Sequence, residues 1–113
     1  MALPEPLPDE LVELIARRFR VIGEPMRIRI LTHLRDTELS VSELVELTEA
    51  SQQNVSKHLG VLLDAGIVAR RKVANQSRYR IVDDTVFRLC DEVCGTLQRQ
   101  LGELNQLLEE ATR

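Results

Sequence analysis

Between Ser51 and Val82 the chain passes from a helical stripe of apolar residues straight into a basic hairpin, and the rest of the fold has to fit around that succession. Val55, Leu59, Leu62 and Leu63 recur at helical spacing, while Gln52, Gln53, Asn54, Ser56, Lys57 and His58 crowd the other face near the N-terminus. Ser51 stands where an N-cap belongs and Gly66 where the helix should stop. Val68-Ala69-Arg70-Arg71-Lys72-Val73, a polar turn at Ala74-Asn75-Gln76-Ser77, and Arg78-Tyr79-Arg80-Ile81-Val82 then read as a basic β-hairpin. Amide, hydroxyl and imidazole groups gathered at one end of a helix can bond base edges and phosphates. Helix and hairpin together predict a winged helix-turn-helix, with a DNA-recognition helix over about 51–65 and a wing over about 67–82.

The preceding residues supply the helices this arrangement needs. Three prolines in residues 1–8 predict an extended or flexible arm ahead of one folded domain over 9–113. Leu11, Leu14, Ile15, Phe19 and Ile22 then have helical spacing, with Asp9 as the expected N-cap; Gly23-Glu24-Pro25 breaks that helix, and Pro25 suits the first position of the next. The second helix carries Met26, Ile28, Ile30, Leu31 and Leu34. The third opens at a capping box, Ser40-Val41-Ser42-Glu43. Thr48-Glu49-Ala50 forms the short turn into the recognition helix, and a fifth helix runs from Asp83 or Asp84 to about Glu110. The expected architecture is mainly α, with five helices and a two-stranded wing before the last helix.

Within the fifth helix Cys90, Cys94, Leu97, Leu101, Leu104 and Leu108 repeat at alternating spacings of four and three, which is a heptad seam. A second stripe of Val86, Leu89 and Val93 is suited to the protein's own core. Two stripes require two packing partners, so Leu97, Leu101, Leu104 and Leu108 are the candidate dimer interface, covered by the same helix of a second copy with the first helix alongside.

With 113 residues and a net charge of −3, the chain looks wrong for a DNA binder until the charge is divided by segment. Residues 1–50 carry −4, residues 51–82 carry +5 and residues 83–113 carry −4. The positive charge lies on the proposed recognition helix and wing, where phosphate binding needs it. No charged-then-apolar leader and no apolar run of membrane-spanning length occurs, which predicts a soluble, cytoplasmic protein without a membrane partner. Enzyme classes find no support: there is no Gly-rich phosphate loop, no nucleophile motif, and too few His and Cys for a catalytic metal centre. A winged helix used for protein binding would carry a neutral or acidic recognition face, whereas no acidic residue occurs from Ser51 to Leu63.

Four stretches, in order, resemble the ArsR/SmtB family of transcriptional repressors. Ile22-Gly23-Glu24-Pro25-Met26-Arg27-Ile28-Arg29-Ile30-Leu31 resembles the family's L-x-D-P-T-R-L-x-I-L. Glu38-Leu39-Ser40-Val41-Ser42-Glu43-Leu44 resembles E-L-C-V-C-D-L. Ser51-Gln52-Gln53-Asn54-Val55-Ser56-Lys57-His58-Leu59 resembles S-Q-x-x-V-S-x-H-L, and the hairpin ending Tyr79-Arg80-Ile81 resembles its wing. The resemblance implies a homodimeric repressor on an inverted-repeat operator in double-stranded DNA, in keeping with the palindromic site that two-fold protein symmetry predicts. Gln53, Asn54, Ser56 and His58 are the candidates for contacts in or beside the major groove, and Ser51 and Gln52 are further DNA-binding candidates. Lys57, Arg71, Lys72, Gln76 and Arg78 are the candidates for phosphate or minor-groove contact, since cationic side chains dominate backbone binding. A half-buried helix histidine is the competing reading of His58, and a solvated strand face that of Arg70 and Arg80.

The best-known metal ligands of the family are missing. Ser40 and Ser42 replace the two cysteines of the third-helix segment, and hydroxyls are poor ligands for soft metals. The zinc pattern D-x-H-x10-H-x2-H/E falls on Asp84, Val86, Leu97 and Gln100, so one ligand of four survives. Cys90 and Cys94, one helical turn apart, remain as candidate sensor groups, either a thiophilic metal or metalloid site or a thiol switch. The alternative is inert packing, because leucine would serve equally at both heptad positions and free cysteine is among the most buried residues. No cofactor is otherwise implied.

Overall fold

The computed structural model describes residues 2–112. Helix α1 spans Asp9–Ile22, and Pro8 rather than Asp9 occupies its N-cap: the Pro8 carbonyl accepts from the Val12 N–H at 3.1 Å, which places Asp9 and Glu10 in the first turn. Both carboxylates there face the positive end of the helix dipole. The helix stops at Gly23, where a Cβ would stand 2.9 Å from the Phe19 carbonyl oxygen that the Gly23 N–H bonds. Helix α2 (Pro25–Leu34) has proline at its first position, and the Glu24 side chain accepts from the Arg27 N–H at 2.9 Å.

The capping box forms as the spacing predicts. In helix α3 (Val41–Thr48) Ser40 Oγ accepts from the Glu43 N–H and Glu43 Oε1 accepts from the Ser40 N–H, both at 3.1 Å. The helix closes on Glu49 in the left-handed region (φ 57°), and Ser51 Oγ then accepts from the Asn54 N–H at 3.1 Å to open helix α4 (Gln52–Asp64). Helix α4 ends in a Schellman motif: the Gly66 N–H bonds the Leu63 carbonyl and the Ile67 N–H bonds the Leu62 carbonyl, each at 3.0 Å. Gly66 sits at φ +73°, a conformation that favours glycine, and the flanking Leu62 and Ile67 are both fully buried.

The wing is one strand wider than the sequence suggests. Strands β2 (Val68–Val73) and β3 (Gln76–Ile81) form the expected antiparallel hairpin, but β1 (Leu39–Ser40), just ahead of α3, pairs with the other side of β3 through Leu39–Tyr79 and Ser40–Arg78. The order is β1-β3-β2, which leaves β2 as an edge. A two-residue strand has no alternation to detect, so only its long-range pairing reveals it. The turn is also tighter than expected, because Gln76 and Ser77 belong to β3 and only Ala74 and Asn75 connect the strands, with Ala74 at φ 55°.

Ile30, Leu31 and Leu34 of α2, Leu44 of α3, Val55, Leu59 and Leu62 of α4, and Ile67, Val68 and Tyr79 of the hairpin form the core, none more than 7% exposed. Arg18 ties α1 to the far end of α4 by donating to the Ala65 carbonyl and to Asp83. Helix α5 (Thr85–Ala111) constitutes a second compact unit. Its Asp84 N-cap makes no side-chain cap hydrogen bond. Val86 is 2% exposed, Leu89 and Cys90 are half-buried, and Val93 is 51% exposed. Among the described residues no helix is long and apolar enough to cross a membrane.

Candidate nucleic-acid interface

The exposed side of α4 follows from helical geometry. At 3.6 residues per turn Gln52, Gln53, Ser56 and Lys57 fall on one arc, and all four are exposed, while Val55, Leu59 and Leu62 on the opposite arc are fully buried. The exposed arc thus offers two carboxamides, a hydroxyl and an ammonium at the N-terminal end of a capped helix. Ser51 is exposed beside them, with its oxygen already accepting the first-turn bond.

His58 is a correction to the sequence reading. It lies a turn beyond Asn54 on the inward flank of the helix, where Asn54 is half-buried and His58 only 6% exposed. Its Nδ1 is 3.0 Å from an Arg27 terminal nitrogen and 3.7 Å from Glu24 Oε2. Arg27 carries donors only, so Nδ1 is the acceptor and the ring proton belongs on Nε2. The guanidinium also donates to the Val21 and Arg20 carbonyls at the end of α1. His58 is therefore a tie between the recognition helix and the α1–α2 junction. The bond from the Arg27 N–H, with lesser help from the Met26 N–H and the Arg27 charge, holds the Glu24 carboxyl below its usual range.

The wing separates its cations into two groups. Glu38, ahead of β1, accepts from Arg71 Nε with both oxygens (3.0 and 2.9 Å) and from Arg78 Nε at 3.1 Å. Arg78 donates further to Glu43 Oε1 at 3.1 Å and to the Glu38 carbonyl at 3.0 Å. Its side chain is only 25% exposed, and these bonds anchor β3 to β1 and the start of α3, so Arg78, which the sequence offers for phosphate contact, is already paired within the chain. Arg71 is 59% exposed but paired. Hydrogen bonding from Arg71 pulls the Glu38 carboxyl below its usual value and raises the Arg71 guanidinium in turn. Glu43 is lowered chiefly by the Ser40 bonds of the capping box and secondarily by Arg78.

Lys57, Arg70, Lys72 and Arg80 are exposed, and among the described residues none of them makes an ion pair. Gln76 is exposed beside the wing turn. Sequence reasoning missed Arg27, Glu24 and Glu38 as organisers of this surface. The capping-box pattern does reveal Glu43, but nothing local reveals the partner of Glu38.

On α5, Leu97, Leu101, Leu104 and Leu108 are 51%, 58%, 51% and 56% exposed. Cys90 is half-buried, Cys94 is exposed and no disulfide joins them. Among the described residues no group of three or more His, Cys, Asp or Glu side chains is placed to hold a metal ion.

Three helices closing on a polar-faced α4, followed by a basic antiparallel wing, define a winged helix-turn-helix protein. A family model for a helix-turn-helix domain matches residues 22–71. The chain is 36% identical over 86 residues to the HTH-type transcriptional regulator KmtR and 34% identical over 80 residues to the HTH-type transcriptional repressor SmtB, both of Mycobacterium tuberculosis. These alignments take in 76% and 71% of this chain, and the chain spans only 66% and 59% of those two relatives. It is also 34% identical over 103 residues, 90% of each chain, to the HTH-type transcriptional regulator Rv0081 of the same organism. The crystal structure of Rv0081 superposes with a TM-score of 0.74, covering 85% of this chain and 97% of that one. The chain belongs to the ArsR/SmtB family of transcriptional regulators.

Proposed function

We propose that this chain is a sequence-specific DNA-binding regulator that works in the cytoplasm as a homodimeric repressor on an inverted-repeat operator in double-stranded DNA. One observation carries the reading. Gln52, Gln53, Ser56 and Lys57 form an exposed polar arc on α4, next in sequence to a wing whose Arg70, Lys72 and Arg80 are exposed and unpaired among the described residues. Carboxamides and hydroxyls on such an arc suit base edges in the major groove, and free cations suit phosphates. Ser51 contributes through the cap that sets the helix start, and Asn54 and Gln76 border the contact surface. Repression agrees with the name of the relative SmtB.

The apolar seam of α5 supports the dimer. Four half-exposed leucines in heptad register require a cover, and a second copy of α5 supplies one of matching period. Cys90 and Cys94 lie on that seam, so a thiophilic ion or an oxidant that reached them would act on the dimer. In the family-type regulator without a sensor site the same thiols simply pack.

Selection of bound duplexes from a random pool tests the function. The expected product is a palindrome whose half-sites are about 10 base pairs apart centre to centre, on one face of the duplex. If Lys57, Arg70, Lys72 and Arg80 of both chains all meet phosphates, the slope of log affinity against log salt should be about −7. No enriched sequence together with a slope near zero would refute the reading. Release of the selected duplex by thiophilic ions or oxidants, lost in Cys90→Ser and Cys94→Ser, separates sensing from packing.

A further inference from the structure

The DNA-binding reading leaves Glu38 without a role, although it is the anion on which two wing arginines converge. Its two oxygens share the single Arg71 Nε–H at 3.0 and 2.9 Å, a charge-assisted contact of the kind a phosphate oxygen also makes with arginine. Arg71 lies on the edge strand β2 between Arg70 and Lys72, both exposed and unpaired among the described residues. The two arginines that share Glu38 are held unequally. Arg78 is 25% exposed and has the Glu43 carboxylate and the Glu38 carbonyl besides, whereas Arg71 is 59% exposed and has Glu38 alone as its ion-pair partner among the described residues. Removing the Glu38 charge therefore frees Arg71 for a phosphate, while Arg78 keeps its other anchors.

We propose that Glu38 is an intramolecular counter-anion that occupies Arg71 and withholds it from DNA phosphate, so that this residue sets how strongly the wing grips the backbone. The inference rests on the DNA-binding reading above. A purely structural role is the alternative: Arg71 and Arg78 stand directly opposite each other on β2 and β3, and Glu38 offsets the repulsion of that pair. The two roles part at the effect of removing the charge on DNA binding and on its dependence on Arg71.

The test is the affinity of the full chain for a fluorescent random-sequence duplex over a range of salt, for wild type, Glu38→Gln, Arg71→Ala and the double variant. Glutamine keeps the shape, and the Glu43 and main-chain anchors of Arg78 remain. One additional phosphate contact steepens the salt slope by about 0.9 per bound chain and tightens binding by about eightfold at 0.1 M salt. Glu38→Gln should show both gains, Arg71→Ala alone should change little, and the double variant should lose the gain. Unchanged or weaker binding by Glu38→Gln overturns the proposal, and so does a gain that survives in the double variant. Failure of the wild type to bind any duplex overturns the DNA-binding reading and this inference together; wild-type binding with no Glu38→Gln gain overturns this one alone. Should Glu38→Gln fail to fold, the Arg71 and Arg78 side-chain Nε–H signals of the wild type decide. On adding the duplex the Arg71 and Arg78 signals should both stay, because Glu38 keeps Arg71 from the phosphates; an Arg71 signal that moves refutes the withholding.

Discussion

Truncating Leu101 to alanine tests the dimer through the residue whose contribution is simplest to work out. The change removes three carbons, each contributing about 0.8 kcal/mol when taken out of water, or roughly 2.4 kcal/mol for complete transfer. Leu101 is 58% exposed in the single chain, so a partner that covers the remainder gains roughly 1.4 kcal/mol from it. A two-fold dimer carries the change twice, which makes about 2.8 kcal/mol and about a hundredfold rise in the dimer dissociation constant. Alanine has the higher helix propensity, so α5 itself is not weakened and the loss can be assigned to association. Sedimentation velocity over a dilution series reads the constant directly, with Glu103→Ala, two residues on and off the seam, as the control. A shift of less than about threefold, with the helical circular dichroism intact, would place Leu101 outside the interface and refute the seam.

Arg27→Ala should remove the donor to His58 Nδ1 and to the Val21 carbonyl and cost about 1–3 kcal/mol of unfolding free energy, read from the urea midpoint; an unmoved midpoint would deny that the tie matters. Gly66→Ala should cost roughly 1–2 kcal/mol through its left-handed backbone alone, because a Cβ there meets nothing within 4 Å. Gly60→Ala, also in open space but within α4, should instead stabilise by about 0.5–1 kcal/mol, and equal effects of the two changes in thermal melts would contradict the argument. Acid should loosen the wing. Glu38 and Glu43 ionise below the usual 4.5 in the folded chain, so their pairs contribute fully above that value and are lost as pH falls beneath it through the folded-state values. Melting temperature against pH should therefore fall on the acid side, and less steeply in Glu38→Gln; an identical acid limb would show that the Glu38 pairs are not linked to folding.

Most of the scaffold could be read from the chain because its determinants are neighbours in sequence. The Ser40–Glu43 box, the Ser51 cap and the Gly66 stop each act over a few residues, and the stripe of Val55, Leu59 and Leu62 repeats with the helix itself. The same periodicity misplaced His58, because a polar residue on the inward flank looks like any other polar residue until Arg27, from a different helix, is seen to meet it. Strand β1 escaped notice for a related reason, since Leu39 and Ser40 become a strand only through Tyr79 and Arg78.

Charge shows the division most plainly. The +5 carried by residues 51–82 between two acidic segments is a property of the sequence, and it points to a nucleic-acid partner whatever the detailed fold. Which of those cations are available is not, because ion pairing depends on distance in space and Glu38 is 33 residues from Arg71 and 40 from Arg78 along the chain. By itself the sequence determined the winged helix-turn-helix class, through periodicity and capping that operate within a helical turn. Only the tertiary structure decided that Arg78 and His58 hold the scaffold together while Lys57, Arg70, Lys72 and Arg80 face outward, because that choice rests on contacts between elements that packing alone brings together.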